Sequence, residues 1–501
     1  MSLQLVKVKW GKEMYTDVEA NTDDDPLVFK AQLFALTGVQ PERQKVMVKG
    51  ATLKDSDWGN IKISNGATIL MMGSKEEDVP TEPTVKPIFV EDMNEAELAT
   101  AMDLPLGLTN LGNTCYMNAT VQCLKTVPEL NEAIKDYKVV GGIAPGQDIT
   151  TALRELWHSM DKRPPAATCI APLRLVKVLH MDFPQFSERT DQGTFMQQDA
   201  NECWTELIRM LQQRLPSKQI LDKPSSYKSL IDQYFGGTFE VELKCNESEE
   251  EVIKKSVENF LQLSCFISPE VKYMHSGLKS KMQEHITKNS PTLGRDAVYT
   301  KTSKISRLPA YLTIQFVRFF YKEKESVNAK ILKDIKFPIE FDAFELCTSD
   351  LQQKLTPMRT RFKELEDKQL EEATNLKDKM KGEVKNKSAK VEDYWFEDDP
   401  GSNNSGYYTL QAVLTHKGRS SSSGHYVAWV RQNNSDTWLK CDDEQVSPVS
   451  AEDVLKLSGG GDWHCAYVLL YGPRVLETPL EEKDSTSTAM ECSTVDQPTE
   501  K

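Results

Sequence analysis

Cys115 stands where a thiol can become a nucleophile. It follows the turn-rich run Gly107-Leu-Thr-Asn-Leu-Gly-Asn-Thr, and beyond it Met117, Val121 and Leu124 recur at helical spacing. Asn113 or Thr114 can serve as N-cap, which sets the thiol at the tip of a helix. There the positive end of the helix dipole and the unpaired N–H groups favour the thiolate. The competing reading is a small buried apolar residue, which is what most free cysteines are. Choosing between them requires a base, an orienting group and a place for the oxyanion.

The base must come from seven histidines. His158, His180, His275 and His285 lie in helical or polar contexts without distinguishing neighbours and read as surface or core-edge residues. His416 ends a strand before a turn, and His464 precedes the last strand. His425 differs, because it opens the alternating run His425-Tyr-Val-Ala-Trp-Val, and a second strand, Thr437-Trp-Leu-Lys-Cys-Asp442, follows it. A hairpin centred on Asn433 and Asn434 sets Trp429 opposite Trp438 and His425 opposite Asp442, with Cβ atoms about 4.5–5.5 Å apart. A carboxylate at that range holds an imidazole in one tautomer and stabilises its protonated form. A bulge that slips the register by one residue favours Asp443 instead. Asn110, in the loop before Cys115, offers an amide N–H to an oxyanion alongside the Cys115 backbone N–H. On sequence alone a loop asparagine is more often a turn-former.

These residues need a sizeable scaffold. At 501 residues the chain is long enough for two or three domains. A charge of −14 argues against nucleic acid as the main partner and permits basic ones. The start of the chain carries no apolar leader, and no run approaches the roughly 18 apolar residues of a membrane span. The ten cysteines include no C-x-x-C pair, which argues against a disulfide framework and against zinc, and fits a reducing, intracellular setting. No cofactor is expected.

Taken in order, residues 3–10 alternate as a half-buried strand and 14–20 as a second. Asp25 and Pro26 then open a helix with an apolar stripe of Phe29, Leu33 and Leu36, which Gly38 ends. Strands at 45–48 and 68–72 complete a small grasp-like α+β domain. Residues 74–101 are acidic and Pro-containing, a tether. From 103 to 474 a helical first part, including a helix over 198–215 opened by Asp199, gives way to strands at 237–244, 261–267, 310–320, 407–416, 425–430 and 466–471. The acid-rich stretch 246–258 reads as a solvated turn. Residues 358–397 include a Lys/Glu-dense insertion, helical and exposed or disordered, and 475–501 read as a disordered tail.

Two resemblances enter on these residues. The run from Gly38 to Gly50, followed by Thr52-Leu-Lys-Asp, resembles the helix-to-strand passage of ubiquitin, but it ends in Met72-Gly-Ser rather than Gly-Gly. That implies an integral ubiquitin-like docking module, not a cleavable modifier. Residues 107–124, Gln197-Gln-Asp-Ala-Asn-Glu202, Tyr408 to His416, Gly424 to Trp429, Trp438 to Asp443 and Ala466 to Tyr471 resemble, in order, the boxes of the ubiquitin-specific proteases, a papain-like family.

The resemblance implies an α+β chain: a ubiquitin-like β-grasp domain (1–75), a flexible linker (76–102) and a protease domain (103–474) with helical thumb and β-rich palm and fingers. It implies a deubiquitinating thiol isopeptidase with Cys115 as nucleophile, His425 as general base and acid, Asp442 as orienter and Asn110 at the oxyanion hole. Gln198 and Asp199 would hold the basic C-terminal tail of ubiquitin. With the ubiquitin-like domain, the pattern is most like a proteasome-associated member. Its expected partners are ubiquitin, polyubiquitin conjugates and the 26S proteasome regulatory particle, in the cytoplasm and, with the proteasome, the nucleus. The loop 417–424, with Ser420, Ser421, Ser422 and Ser423, is expected to gate the tail channel together with 322–334.

Two departures stand out. Where many members carry the first zinc pair this chain reads Cys245-Asn-Glu-Ser248, so the fingers are expected without zinc, and Cys441 replaces an aromatic residue before the acid. Rival readings are a non-catalytic ubiquitin-binding regulator of the proteasome and a general peptidase or acyltransferase.

Overall fold

A computed structural model describes residues 3–59, 61–75, 104–139, 148–162, 167–219, 226–322, 327–377, 389–420, 423–432, 437–461 and 463–479. The chain divides into two units, Met1–Asp92 and Met93–Lys501.

In the first unit the strand Leu3–Trp10 alternates as expected, with Val6 and Val8 buried between exposed Lys7 and Lys9. It lies second in a mixed five-stranded sheet, between Glu13–Asn21 at the edge and the central Thr68–Met72, with Lys45–Val48 and Ala51–Thr52 beyond. It pairs antiparallel with the second strand and parallel with the last. Asp25 caps the helix Pro26–Thr37 by accepting from Leu27 N at 2.9 Å, and Gly38 at φ 74° ends it. Phe29 and Leu33 join the sheet's inner face in one core. Leu36 departs from the expected stripe. It faces solvent, and Thr37 is buried in its place, its hydroxyl donating to Leu33 O at 2.6 Å. A mixed sheet crossed by one helix fits a ubiquitin-like β-grasp. The tether expected at 76–102 lies outside the described residues.

The second unit is helical first and sheet-rich afterwards. Helices Cys115–Leu124, Pro128–Asp136, Ile149–Asp161, Leu173–Asp182 and Ala200–Arg214 share one core. Cys115–Leu124 runs through the middle of it with every residue buried, so its polar side chains must be paired inside. Thr120 donates to Tyr116 O at 2.8 Å and Gln122 to Leu106 O at 3.0 Å. An eight-stranded sheet backs this helix in the order Leu263–Phe266, Leu312–Val317, Cys465–Pro473, Tyr407–Ser420, Ser423–Arg431, Trp438–Asp442 and Gln445–Val449, with Glu340–Asp342 added beside Tyr407–Ser420. A four-stranded sheet, Gln283–Ser290, Arg295–Arg307, Gly237–Cys245 and Lys254–Phe260, forms the fingers.

Several expectations are corrected here. The solvated turn at 246–258 is shorter, because Lys254 already begins a strand paired to Gly237–Cys245. His285 lies on a strand that polar alternation had concealed. The run 310–320 is broken at Arg318, whose buried guanidinium turns inward. His416 does not end its strand, which continues to Ser420, and it is fully buried. The charged insertion is in part the helix Ser349–Lys377, anchored where Arg359 donates to both Asp342 oxygens (2.9 and 2.7 Å) and lies 4.1 Å from the Tyr407 ring centroid. The tail expected to be disordered from 475 begins with a strand, Glu477–Pro479, paired to Ala389–Val391. Buried Leu476 anchors it, one apolar residue that the tail's polar composition outweighs. Among the described residues no helix is long and apolar enough to cross a membrane.

Candidate active site

Cys115 is the first residue of its helix, and it is buried. Thr114 takes the N-cap position, but its hydroxyl faces backward and accepts from Leu111 N at 2.9 Å. The loop is instead folded around Asn110, whose Oδ1 accepts from Gly112 N (3.0 Å) and Thr114 N (3.2 Å). Asn113, at φ 55°, donates Nδ2 to Phe195 O at 2.8 Å and ties this loop to the segment before the helix Ala200–Arg214. On that segment Gln197 brings its Nε2 to 3.7 Å from Cys115 Sγ.

His425 and Asp442 come from adjacent strands, in a register that differs from the expected one. Ala428 pairs with Cys441, Trp429 with Lys440 and Arg431 with Trp438. The hairpin loop is wider than a two-residue turn, closed by Gln432 N donating to Thr437 O at 2.9 Å, and this offsets the strands by two residues. Because side chains alternate with period two, an even offset leaves both residues on one face. They become diagonal neighbours rather than opposite ones, within reach of a long side chain. The imidazole closes the gap, with Nε2 at 2.6 Å from Asp442 Oδ1, and the Cys115 thiol is near enough to help raise its pKa.

Asp443 lies farther from the imidazole than Asp442 and has further partners of its own. It sits at φ 51° just past the strand, with Oδ2 at 3.9 Å from His425 Nε2. Its carboxylate accepts from Asn110 Nδ2 at 2.9 Å and Asn118 Nδ2 at 2.8 Å, and its carbonyl accepts from Leu108 N at 2.8 Å. The close approach explains Gly107, where a Cβ would lie 2.3 Å from Glu444 O. One amide hydrogen of Asn110 is thereby committed, leaving the other for a ligand.

A thiol at a helix tip, an imidazole and a carboxylate in sequence are the apparatus of acyl transfer. Comparison with known proteins agrees: the family model for ubiquitin carboxyl-terminal hydrolase matches residues 106–471. This chain belongs to the ubiquitin carboxyl-terminal hydrolase family. It is 42% identical over 484 residues to ubiquitin carboxyl-terminal hydrolase 7 of Arabidopsis thaliana, covering 94% of this chain and 99% of the relative. It is 41% identical over 508 residues to ubiquitin carboxyl-terminal hydrolase 14 of Caenorhabditis elegans (98% and 99%) and 39% identical over 484 residues to ubiquitin carboxyl-terminal hydrolase 6 of Schizosaccharomyces pombe (93% and 98%). It is a cysteine-type deubiquitinase.

The electrostatics of this hydrolase separate its histidines. The Asp442 hydrogen bond, followed by the Cys115 contact, outweighs burial and pushes His425 up to about 10. Burial pushes His416 down to about 3 and His464 down to about 4, so both are neutral at pH 7. The His425 hydrogen bond holds the Asp442 carboxyl below the usual carboxylate range, with help from Lys440, whereas burial raises Asp443. Cys441 is buried, and burial pushes its thiol up to about 12.

Asp199 caps the helix Ala200–Arg214, accepting from Asn201 N (2.7 Å) and Glu202 N (3.3 Å), while Tyr467 Oη donates to its two oxygens at 2.9 and 2.8 Å. Gln198, beside it, is half-buried. Ser420 and Ser423 pair across the hairpin, whereas Ser421 and Ser422 lie outside the described residues. Sequence reasoning missed Gln197, Asn118 and Lys440. Each carried a signal: Gln197 begins the second box, Asn118 lies one helical turn from Cys115, and Lys440 lies two residues before Asp442 and so on the same strand face. Among the described residues no group of three or more His, Cys, Asp or Glu side chains is placed to hold a metal ion.

Proposed function

We propose that Cys115 is the nucleophile of this deubiquitinase, His425 its base and acid, Asp442 the carboxylate that orients the imidazole, and Asn110 with the Cys115 backbone N–H the oxyanion donors. The observation that carries this reading is the 2.6 Å contact between His425 and Asp442, with Cys115 at the helix tip among the groups that raise the imidazole's pKa. The Cys115 thiolate attacks the carbonyl of ubiquitin's C-terminal glycine. The His425 imidazolium gives its proton to the leaving lysine amine as the C–N bond breaks, and the neutral ring then takes a proton from water as water attacks the thioester carbonyl and expels the Cys115 thiolate. Gln198 and Asp199 line the approach of ubiquitin's basic tail, and the serine loop from 420 to 423 gates it.

The enzyme works docked on the 26S proteasome regulatory particle through residues 1–75, in the cytoplasm and the nucleus. The outer face of that sheet supports this. Met14, Leu70 and Met72 are exposed there, with Lys9 between Met14 and Leu70 and Lys45 beside Met72, a face of mixed apolar and basic side chains. Cys115→Ala is expected to abolish hydrolysis of a ubiquitin C-terminal fluorogenic substrate while ubiquitin binding persists; continued turnover would refute the assignment. Deleting residues 1–75 is expected to spare basal hydrolysis and to abolish co-purification with proteasomes.

A further inference from the structure

Asp442 faces two cations with two different oxygens. Its Oδ1 lies 2.6 Å from His425 Nε2, and its Oδ2 accepts from Lys440 Nζ at 2.7 Å. Lys440 reaches it because residues two apart on a strand share a face. Across the sheet Lys440 pairs with Trp429, and its Nζ lies 5.8 Å from that ring's centroid. The lysine stem is covered by the indole while the ammonium stays at the carboxylate. Both side chains are about a quarter exposed, at 28% and 27%. The pair therefore sits in the wall of the site rather than waving in solvent.

We propose that Lys440 is a positioning residue for hydrolysis: by holding Oδ2 it fixes the Asp442 carboxylate with Oδ1 toward His425, and it shares the carboxylate's charge with the imidazole. This rests on reading Cys115, His425 and Asp442 as the catalytic group. A carboxylate bonded on one side only is free to swing about its broad terminal torsion. A second charge-assisted bond on the other oxygen removes that freedom. It also weakens the field that Asp442 exerts on His425, because part of the negative charge is answered by the ammonium.

The consequence for pH has a definite sign. His425 is faced by Cys115 from the helix, by Asp442 and Asp443 from the adjoining strand end, by Lys417 opposite it on the other neighbouring strand, and by buried His416 and His464. Asp442 is faced by His425, Lys440 and His464, and pairs with Gln445. Removing the Lys440 charge takes a cation away from every ionising member of the group. The carboxylate becomes harder to form, and the imidazolium becomes harder to lose. Both limbs of the bell-shaped rate profile then move to higher pH, on the order of half a unit.

The test uses the full chain, with kcat/KM on a ubiquitin C-terminal fluorogenic substrate measured from pH 5 to about 10. Lys440→Met is expected to lower kcat/KM at neutral pH by roughly twofold to fivefold, the scale of a partly exposed ion pair. It is also expected to move both limbs upward. Lys440→Arg keeps charge and donor and is expected to restore the wild-type profile. Lys440→Gln replaces the Met variant if that does not give the wild-type unfolding transition. A Met or Gln profile that lies on the wild-type curve overturns the inference, as does a uniform loss at every pH that arginine fails to rescue. Labelling of wild-type Cys115 by a ubiquitin-based electrophile separates the two levels. If it fails, the catalytic reading itself falls. If it succeeds while the profile stays fixed, only the role of Lys440 falls.

Discussion

His425 and Asp442 meet at 2.6 Å although their positions are diagonal, not opposite, across neighbouring strands. A diagonal contact draws the imidazole along the strand direction. It leaves Asp443, the next residue, to turn back at φ 51° toward Asn110 and Asn118. Two adjacent carboxylates thus serve two different partners, one the His425 imidazole and the other the loop that leads into Cys115.

Asp442→Asn removes the largest cause of the raised His425 pKa. The alkaline limb of kcat/KM should fall from about 10 toward the ordinary histidine value, and the rate at neutral pH should drop by roughly a hundredfold or more. The linkage sign is that of a cation stabilised by folding. The stability contributed by protonated His425 is fully present below its unfolded pKa of about 6.5 and is lost as pH rises through about 10. Wild-type melting temperature should therefore decline across that window more steeply than that of the Asn variant.

Asn110→Ala and Asp443→Ala should fail in different ways. Losing Asn110 removes a donor aimed at the oxyanion, so kcat should fall by about a hundredfold or more with KM little changed. Losing Asp443 strips the acceptor from two asparagine amides, one of them on the buried Asn118, and should also cost about 1–3 kcal/mol of stability. Asp443→Asn keeps an acceptor and a residue that tolerates positive φ, so it should unfold closer to wild type. Steady-state kinetics beside thermal unfolding check both statements.

How much of this was legible in the sequence depends on the range of the interaction that decides it. The helix tip at Cys115, the strand that carries His425 and the helix opening at Asp199 are local patterns, and the structure has all three, although the strand is buried on both faces from Tyr426 to Val430 rather than alternating. The hairpin offset was not readable, because the closing loop length between Val430 and Trp438 is compatible with more than one register. His425 and Asp442 still met because an error of two residues preserves the face. The two long finger strands were hidden because their apolar residues are sparse: Gln283–Ser290 has only Ile286, and Arg295–Arg307 buries Ala297, Tyr299 and Ile305 among mostly polar neighbours. Asn118 was hidden for the opposite reason, as a polar residue buried inside an apolar helix face whose partner lies far along the chain.

Arg318 is expected to be a structural keystone. It is fully buried, lies with its guanidinium 5.4 Å from the Phe316 ring centroid, and donates to four carbonyl oxygens, Ala466 at 2.7 Å, Ile331 at 3.0 Å, Lys333 at 2.9 Å and Ser458 at 2.8 Å. Gly460 N to Leu332 O (2.8 Å) and Ile335 N to Ser458 O (3.0 Å) join the same two loops. Arg318→Met would leave those carbonyls without their donors, a loss of about 3 kcal/mol or more. Lysine should rescue poorly, since it lacks the planar fork. Hydrogen exchange should rise together in residues 331–335 and 456–461; a rise in one loop alone would contradict the shared anchor.

Tyr467 and Asp199 give the last prediction. Burial raises the Asp199 pKa, and the Tyr467 hydrogen bond and the helix N–H groups oppose that rise. Tyr467→Phe removes the opposing side-chain bond, so the Asp199 pKa should climb further and its charge should be lost at a higher pH. If Asp199 attracts ubiquitin's basic tail, KM of the Phe variant should increase as pH falls below neutrality, at pH values where wild-type KM is still flat. The value of kcat should change little, because the pair lies outside the group that moves protons. Initial-rate measurements at several pH values would decide it. A KM that rises equally in both proteins would mean that Asp199 serves the helix as its cap and not the substrate.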